Sequence, residues 1–323
     1  MKSNSLLRRS LVLMAVALIA IPALAKDDAM SLVPANAVTV GMVKLAELRS
    51  SPLSSMLFQH TDRMTSDGEA ARFLTDAGLS PAEDVDVLVV ATSPRTTLGS
   101  ESEVLIIAEG RFNPERLSAA LLQRGAVAQK GYIVFPNQEG DRKGAVAFPS
   151  SSLAVAGTED AVIAALAARA NGGTGFVKRS GLALDLGRID PAATSWVIID
   201  VPRAARLTKA GNLSTGSGNP AEALQAALRT VSTVALWATD TGDSLKLGAV
   251  GLSGDAETLQ LLEDTIRGGL SALRLAAREK SPEMVTVLRR FDVSKKNNAV
   301  LVEGSIPASS LRSMMAKTTA VAK

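Results

Sequence analysis

The chain carries an internal duplication, and that limits the folds open to it more than any other feature. A first copy runs from about Leu32 to Arg179 and a second from about Leu186 to Ala316. Each opens with Pro-Ala shortly before a strand: Pro34-Ala35 before Val38 to Val43, and Pro191-Ala192 before Ser195 to Val201. Each continues through a helical stretch into an apolar strand that reaches Ala-Thr, at Ala91-Thr92 and at Ala238-Thr239. A polar turn and a second strand follow, Glu103 to Gly110 and Ser244 to Leu252. Repetition of a whole supersecondary unit within one chain implies two similar modules that bury apolar surface together.

The second strands lead into helices with readable starts. Asn113-Pro114-Glu115 sets a capping side chain before a proline at the first helical position, and Asp255 takes the capping role in the second copy. Leu259, Leu262, Ile266, Leu270 and Leu273 recur at spacings of three and four, which predicts a long amphipathic helix. The closing strands are expected at Tyr132 to Phe135 and at Ala145 to Ala156 with a break near Pro149. In the second copy they are expected at Met284 to Val293 and Ala299 to Ile306. Lys295-Lys296-Asn297-Asn298 reads as a hairpin turn, because asparagine tolerates positive φ. Short helices are expected at Glu159 to Ala168 and Ala308 to Met315. The class is α+β. The order β-α-β-β-α-β in each copy suggests tandem ferredoxin-like-related repeats with extra strands, mainly antiparallel sheets, and helices on one face. Whether the two sheets join edge to edge is left open by the sequence.

The first 25 residues read as a secretory signal rather than as part of the fold. Lys2, Arg8 and Arg9 precede an apolar run from Leu11 to Ala20, Pro22 breaks it, and Ala23 and Ala25 supply the small-x-small cleavage site. The stretch from Leu11 to Ala25 is about 22 Å of helix against a hydrocarbon core of roughly 30 Å, too short for an anchor. The expected organisation is a signal peptide at 1–25, a first α+β repeat at 26–180 and a second at 181–323. Periplasmic or secreted location in a bacterium and a soluble mature chain follow as expectations.

The 35 Lys+Arg and 32 Asp+Glu lose their imbalance with the leader, which holds three basic residues and no acidic one. Near-zero mature charge argues against a nucleic-acid footprint. With no cysteine, thiol chemistry and disulfides are excluded, and a hydrophobic fraction of 46% supports folding by burial alone.

Candidate chemistry is thin. His60 is the only histidine, in a helical stretch beside Asp62, and no G-x-S-x-G accompanies it, so a catalytic triad or zinc site is not supported. Gly172-Gly173-Thr174-Gly175 and Gly216-Ser217-Gly218 lack the ending and context of a phosphate loop. The carboxylate pairs Asp84/Asp86, Asp240/Asp243 and Glu263/Asp264 read as strand entry, hairpin turn and polar helix face. Trp196 and Trp237 are expected in the core. Gly268-Gly269, in the middle of the leucine stripe, would permit close approach of another helix, although core packing of that stripe is the expected role. No catalytic, cofactor-binding or metal-ligating residue is assigned, and no cofactor is expected.

The Pro-Ala opening, Val43-Lys44-Leu45-Ala46-Glu47-Leu48, and Gly78-Leu79-Ser80-Pro81 followed by Asp84-Val85-Asp86 give the chain a resemblance to an uncharacterised family of exported bacterial proteins with duplicated α+β units. The resemblance implies the fold and carries no activity. The functional expectation is a non-enzymatic envelope protein binding a protein or a small apolar ligand, at the groove between repeats or at a sheet edge. A hydrolase with a carboxylate- or serine-based site and a structural role in envelope assembly are the alternatives.

Overall fold

The computed structural model describes residues 28–51, 76–95, 102–135, 143–172, 175–179, 181–207 and 230–313. The leader with Ala23 and Ala25, His60, and the glycine-rich stretch 211–220 lie outside the described residues.

One twelve-stranded sheet organises the α+β fold. Its strands are β1 (Thr39–Val43), β2 (Val85–Pro94), β3 (Ser102–Gly110), β4 (Val127–Gln129), β5 (Tyr132–Phe135), β6 (Gly144–Ser150), β7 (Leu153–Thr158), β8 (Ser195–Asp200), β9 (Thr233–Asp240), β10 (Ser244–Leu252), β11 (Asp292–Lys296) and β12 (Ala299–Pro307). The spatial order is β11-β12-β10-β9-β8-β1-β2-β3-β7-β6-β5-β4. The joint between the two sheet segments is β1 against β8, antiparallel, with Val40 opposite Ile198 and Gly41 opposite Val197. Backbone bonds from Lys44 N to Thr194 O and from Asp200 N to Val38 O, both 2.8 Å, extend that joint at its two ends. The question of edge-to-edge joining is thus answered by a continuous ladder.

The split β-α-β arrangement expected from the element order is not what the sheet contains. That arrangement sets another strand between its first two strands and runs those two parallel, whereas β1 here pairs directly with β2, antiparallel, as does every strand pair among the described residues. Adjacent strands β6–β7, β9–β10 and β11–β12 are joined by turns, and sequence order alone did not say that β1 would pair directly with β2.

Helices fall on both faces. On one face, here called the core face, a 3-10 turn (Ala29–Leu32), α4 (Glu159–Ala170), α5 (Gly175–Arg179) and α6 (Gly181–Leu184) cover Val40, Val89, Ile107 and Ile198, all fully buried. Leu32, Val162, Phe176 and Leu182 are their main contributions to this cluster. The opposite face is covered at its two flanks. Over one flank lie α1 (Leu45–Arg49), α2 (Pro81–Asp84) and α3 (Pro114–Gln123), where Leu117 and Leu121 pack with Ala108, Phe148 and Ile133. Over the other, α8 (Ala256–Lys280) sets Leu259 and Leu262 on Val293 and Val300, with α9 (Pro282–Leu288) following directly. Helix α7 (Val201–Leu207) leaves the end of β8.

Both expected caps are present: Asn113 Oδ1 accepts from Arg116 N at 3.0 Å and Asp255 Oδ2 from Thr258 N at 2.8 Å. Asn297 takes φ 52° in the β11–β12 turn. Residues 282–288 correct the expected strand from Met284 to Val293, since only the part from Asp292 is strand. Pro282 at the first helical position and Glu283 in the first turn favour a helix start, and Val287 becomes buried. The break expected near Pro149 is a hairpin at Ser151-Ser152, with Ser150 opposite Leu153. Residues 308–313 are helical as expected. Among the described residues no helix is long and apolar enough to cross a membrane.

Candidate functional site: the uncovered face over the β1–β8 joint

Side chains alternate across a strand, so the register states which residues share a face. Ile106 lies opposite Val90, Val90 opposite Gly41, Gly41 opposite Val197, Val197 opposite Leu236, and Leu236 opposite Ala249. These residues form one row across β3, β2, β1, β8, β9 and β10, on the face away from Val40 and Ile198. A parallel row two residues on contains Leu88, Val43, Ser195, Ala238 and Leu247. The helices of the two flanks reach the ends of these rows, at Ala108 and Val302, and stop there.

The middle is apolar, and among the described residues no helix covers it. Val90 and Ile106 are each 38% exposed and Leu236 is 44% exposed. A shallow hollow of about 450 Å³ lies over it, bordered by Gly41, Val43, Leu88, Val90, Val197 and Leu236 among others. Gly41 sits at its centre in chain register. An added Cβ there would meet Trp196 O at 3.5 Å and Val197 at 3.8 Å, which is ordinary contact, so the space above Gly41 belongs to the hollow and not to the packing. Ser195 is the one residue in the lining with a polar side chain apart from the two indoles. Among the described residues, no ionisable group borders it. Such a surface holds an apolar group by burial and offers nothing to move a proton or bind a metal.

A second concavity, about 300 Å³, has polar walls: Asp200, Arg203, Ser232 and Thr233, with Ala35 and Leu182. Its polar atoms are engaged in holding the fold. Asp200 Oδ1 accepts from Arg203 N at 3.0 Å, at the start of α7. Arg203 donates to Asn36 O at 2.8 Å and lies 3.7 Å from Asp200. Ser232 donates to Leu252 O at 3.0 Å, and Thr233 to Asp185 at 3.0 Å. The carboxylate beside the Thr233 hydroxyl is Asp185, and the Ser232 hydroxyl is given to a backbone carbonyl.

Five of the six carboxylates singled out from sequence have structural partners. Arg49 binds Asp86 at 2.8 Å and also the Val85 carbonyl, and Arg111 lies 3.9 Å from Asp84, so the pair clamps the irregular start of β2. Asp240 accepts from Gly242 N at 2.8 Å in the β9–β10 turn and from the Ser51 hydroxyl. Glu263 pairs with Arg267 at 2.9 Å, and Asp264 accepts from Gln260 at 3.2 Å. No cluster of three or more potential metal ligands occurs among the described residues. Burial and a hydrogen bond to Glu159 push the Tyr132 hydroxyl up, and the Thr258 hydroxyl and N–H hold Asp255 below the usual carboxylate range. Neither residue borders the hollow.

Trp237 is buried in the core and pairs in register with Trp196, which packs on the same cluster. Gly248 makes room for the Trp237 indole: an added Cβ would fall 2.0 Å from the ring. Gly172, at φ 87°, ends α4, and Gly175 begins α5, while Gly173-Thr174 lie outside the described residues. The leucine stripe is buried at Leu259 and Leu262, half-buried at Ile266 and Leu270, and exposed at Leu273.

The chain matches no protein-family model and no curated protein. Solved structures of TP0453 are similar over most of the chain. Crystal form III matches with a TM-score of 0.49 at 12% identity, covering 90% of this chain and 98% of that one. Form I gives 0.49 at 11% identity, over 91% and 98%. Form IV gives 0.46 at 12%, over 89% and 96%. No property of TP0453 is transferred on that likeness.

Proposed function

We propose that the chain is a non-enzymatic binding protein of the bacterial envelope, exported by its leader, which holds a small apolar ligand on the open sheet face over the β1–β8 joint. The observation that carries this reading is the row Ile106, Val90, Gly41, Val197, Leu236: apolar throughout, partly exposed, and hollowed at a glycine. The strand order outward from the joint, β1-β2-β3-β7-β6 on one side and β8-β9-β10-β12-β11 on the other, supports the reading of two copies of one unit, with the site where they meet. The boundary near residue 180 belongs to the same reading.

The sheet edges compare poorly as docking sites. Edge strand β4 is three residues long, and edge strand β11 carries Lys295 and Lys296, two ways of blunting strand addition. The hydrolase alternative finds its best location in the Asp200–Arg203 concavity, where the groups are already bound to one another.

The test is a titration of the mature chain with N-phenylnaphthylamine, an uncharged probe whose emission rises in apolar surroundings. One saturable site is expected, with Kd of order micromolar because an open hollow buries one side of the ligand. Gly41→Leu, whose Cβ has room, fills the hollow and is expected to weaken binding about tenfold or more, the effect of losing about 1.4 kcal/mol. Binding unaffected by Gly41→Leu, or no saturable binding at all, overturns the assignment.

A further inference from the structure

The chain is sealed into its core very close to its expected cleavage site. Ala29, Leu32 and Val33 are fully buried and Met30 nearly so. They belong to the main core cluster with Val40, Val89, Ile107, Val162 and Phe176. The 3-10 turn that carries them touches β2, β3, α4 and α5. Its backbone is paired locally: Met30 N donates to Asp28 Oδ1 at 3.0 Å, Ser31 N to Asp28 O at 2.9 Å and Val33 N to Met30 O at 3.3 Å. Ala29 N donates to the Glu109 carboxylate on β3. The first residues of a domain ordinarily fray. Here they complete the core face.

The bond expected to be cut joins Ala25 to Lys26, and only Lys26, Asp27 and Asp28 separate it from Ala29. Three residues span about 10 Å at full extension. A protease takes its substrate as an extended strand on both sides of the bond, which needs several residues of free backbone. With Ala29 N held by Glu109 and Asp28 accepting from Met30 and Ser31, that backbone is engaged. Cleavage beside a seated turn therefore waits on local opening, and its rate falls with the fraction of time the turn spends out of the core.

We propose that hydrolysis of the Ala25–Lys26 bond precedes the seating of residues 28–33, so that removal of the leader and closure of the core face are ordered steps. The inference rests on the export reading above. Water adds across the bond, leaving a carboxylate on Ala25 of the released leader and an amine on Lys26 of the mature chain. A chain that folds first is a dead end, because its own core holds the bond out of the protease's reach.

The test compares two full-length precursors, residues 1–323 and the same chain with Gly-Ser-Gly-Ser-Gly-Ser inserted between Asp27 and Asp28. The spacer adds about 20 Å of tether and touches no core residue. Each is offered to purified bacterial signal peptidase folded, by the criterion of the mature chain's near-UV circular dichroism, and straight from urea. Both are expected to be cut after Ala25 when presented from urea. The folded parent is expected to be cut at least about tenfold more slowly, and the folded spaced precursor within about threefold of the urea rate. Equal cutting of the folded and urea-presented parent overturns the inference alone, as does a folded spaced precursor that stays as slow as the parent. No cutting after Ala25 from urea removes the export reading and this inference with it. A parent that fails to reach the mature near-UV signal while the spaced precursor reaches it supports the same order of steps; failure of both to reach it overturns the inference.

Discussion

Neighbouring residues on the same strands meet opposite fates in this sheet. Val89 is fully buried and Val90 is 38% exposed; Ile107 is fully buried and Ile106 is 38% exposed; Ala235 is buried and Leu236 is 44% exposed. The side chains are alike, so hydrophobicity is not what separates the two faces. The difference is cover. The core face lies under the 3-10 turn, α4, α5 and α6, while the helices on the other face stand over the flanks and leave the centre open. An open apolar centre between two covered flanks is what a ligand surface requires, and it sits at the one joint where sequence-distant strands β1 and β8 meet.

The comparison is broken most easily at one pair of isoleucines. Ile107→Ala is expected to cost about 2–5 kcal/mol in chemical denaturation, and Ile106→Ala less than about 1, because only the first opens a sealed cavity. Similar losses at the two positions refute the distinction between the faces.

A smaller effect on stability, with a larger one on binding, is expected at Leu236. Leu236→Gln replaces an exposed apolar side chain by a polar one of similar size and is expected to change stability by no more than about 0.5 kcal/mol. Binding of the apolar probe should fall severalfold. Loss of folding there shows that the centre is packed in solution after all.

The least effect concerns the cover of the flank. Asp255 caps α8, and its carboxyl is held below the ordinary range first by the Thr258 hydroxyl and then by backbone N–H groups. A depressed carboxylate contributes stability above its unfolded value, about 4, and loses it as pH falls through the lower folded value. Asp255→Ala is therefore expected to lower the melting temperature slightly at neutral pH and to converge with the parent once pH falls below the carboxyl's lowered value, in melts across the acid range. A deficit that persists in acid shows that the cap does not act through its charge.

Much of the fold was legible because local signals dominate it. Tyr132–Phe135 and Ser244–Leu252 were readable from apolar runs between turns, and Asn113 and Asp255 from capping chemistry that spans only four consecutive residues. Met284 to Val293 misled because a short apolar run fits either element, and Pro282 decided it. The candidate site left only an ambiguous trace. Val87-Leu88-Val89-Val90-Ala91 and Val234-Ala235-Leu236-Trp237-Ala238 are apolar on both faces, which in a sheet reads as burial on both. On one face, at the centre, no described helix provides that cover.

What the sequence settled by itself was the α+β class, the positions of most strands and the capped helices, because these depend on side-chain periodicity and on neighbours a few residues away. The mainly antiparallel pairing was expected from sequence; only the tertiary structure decided that β1 pairs with β8 and that the row from Ile106 to Leu236 stays partly exposed. Pairing joins residues more than 150 positions apart in the chain, as at Gly41 and Val197, and exposure depends on where helices from other segments come to rest. Neither quantity is a property of any local stretch of sequence.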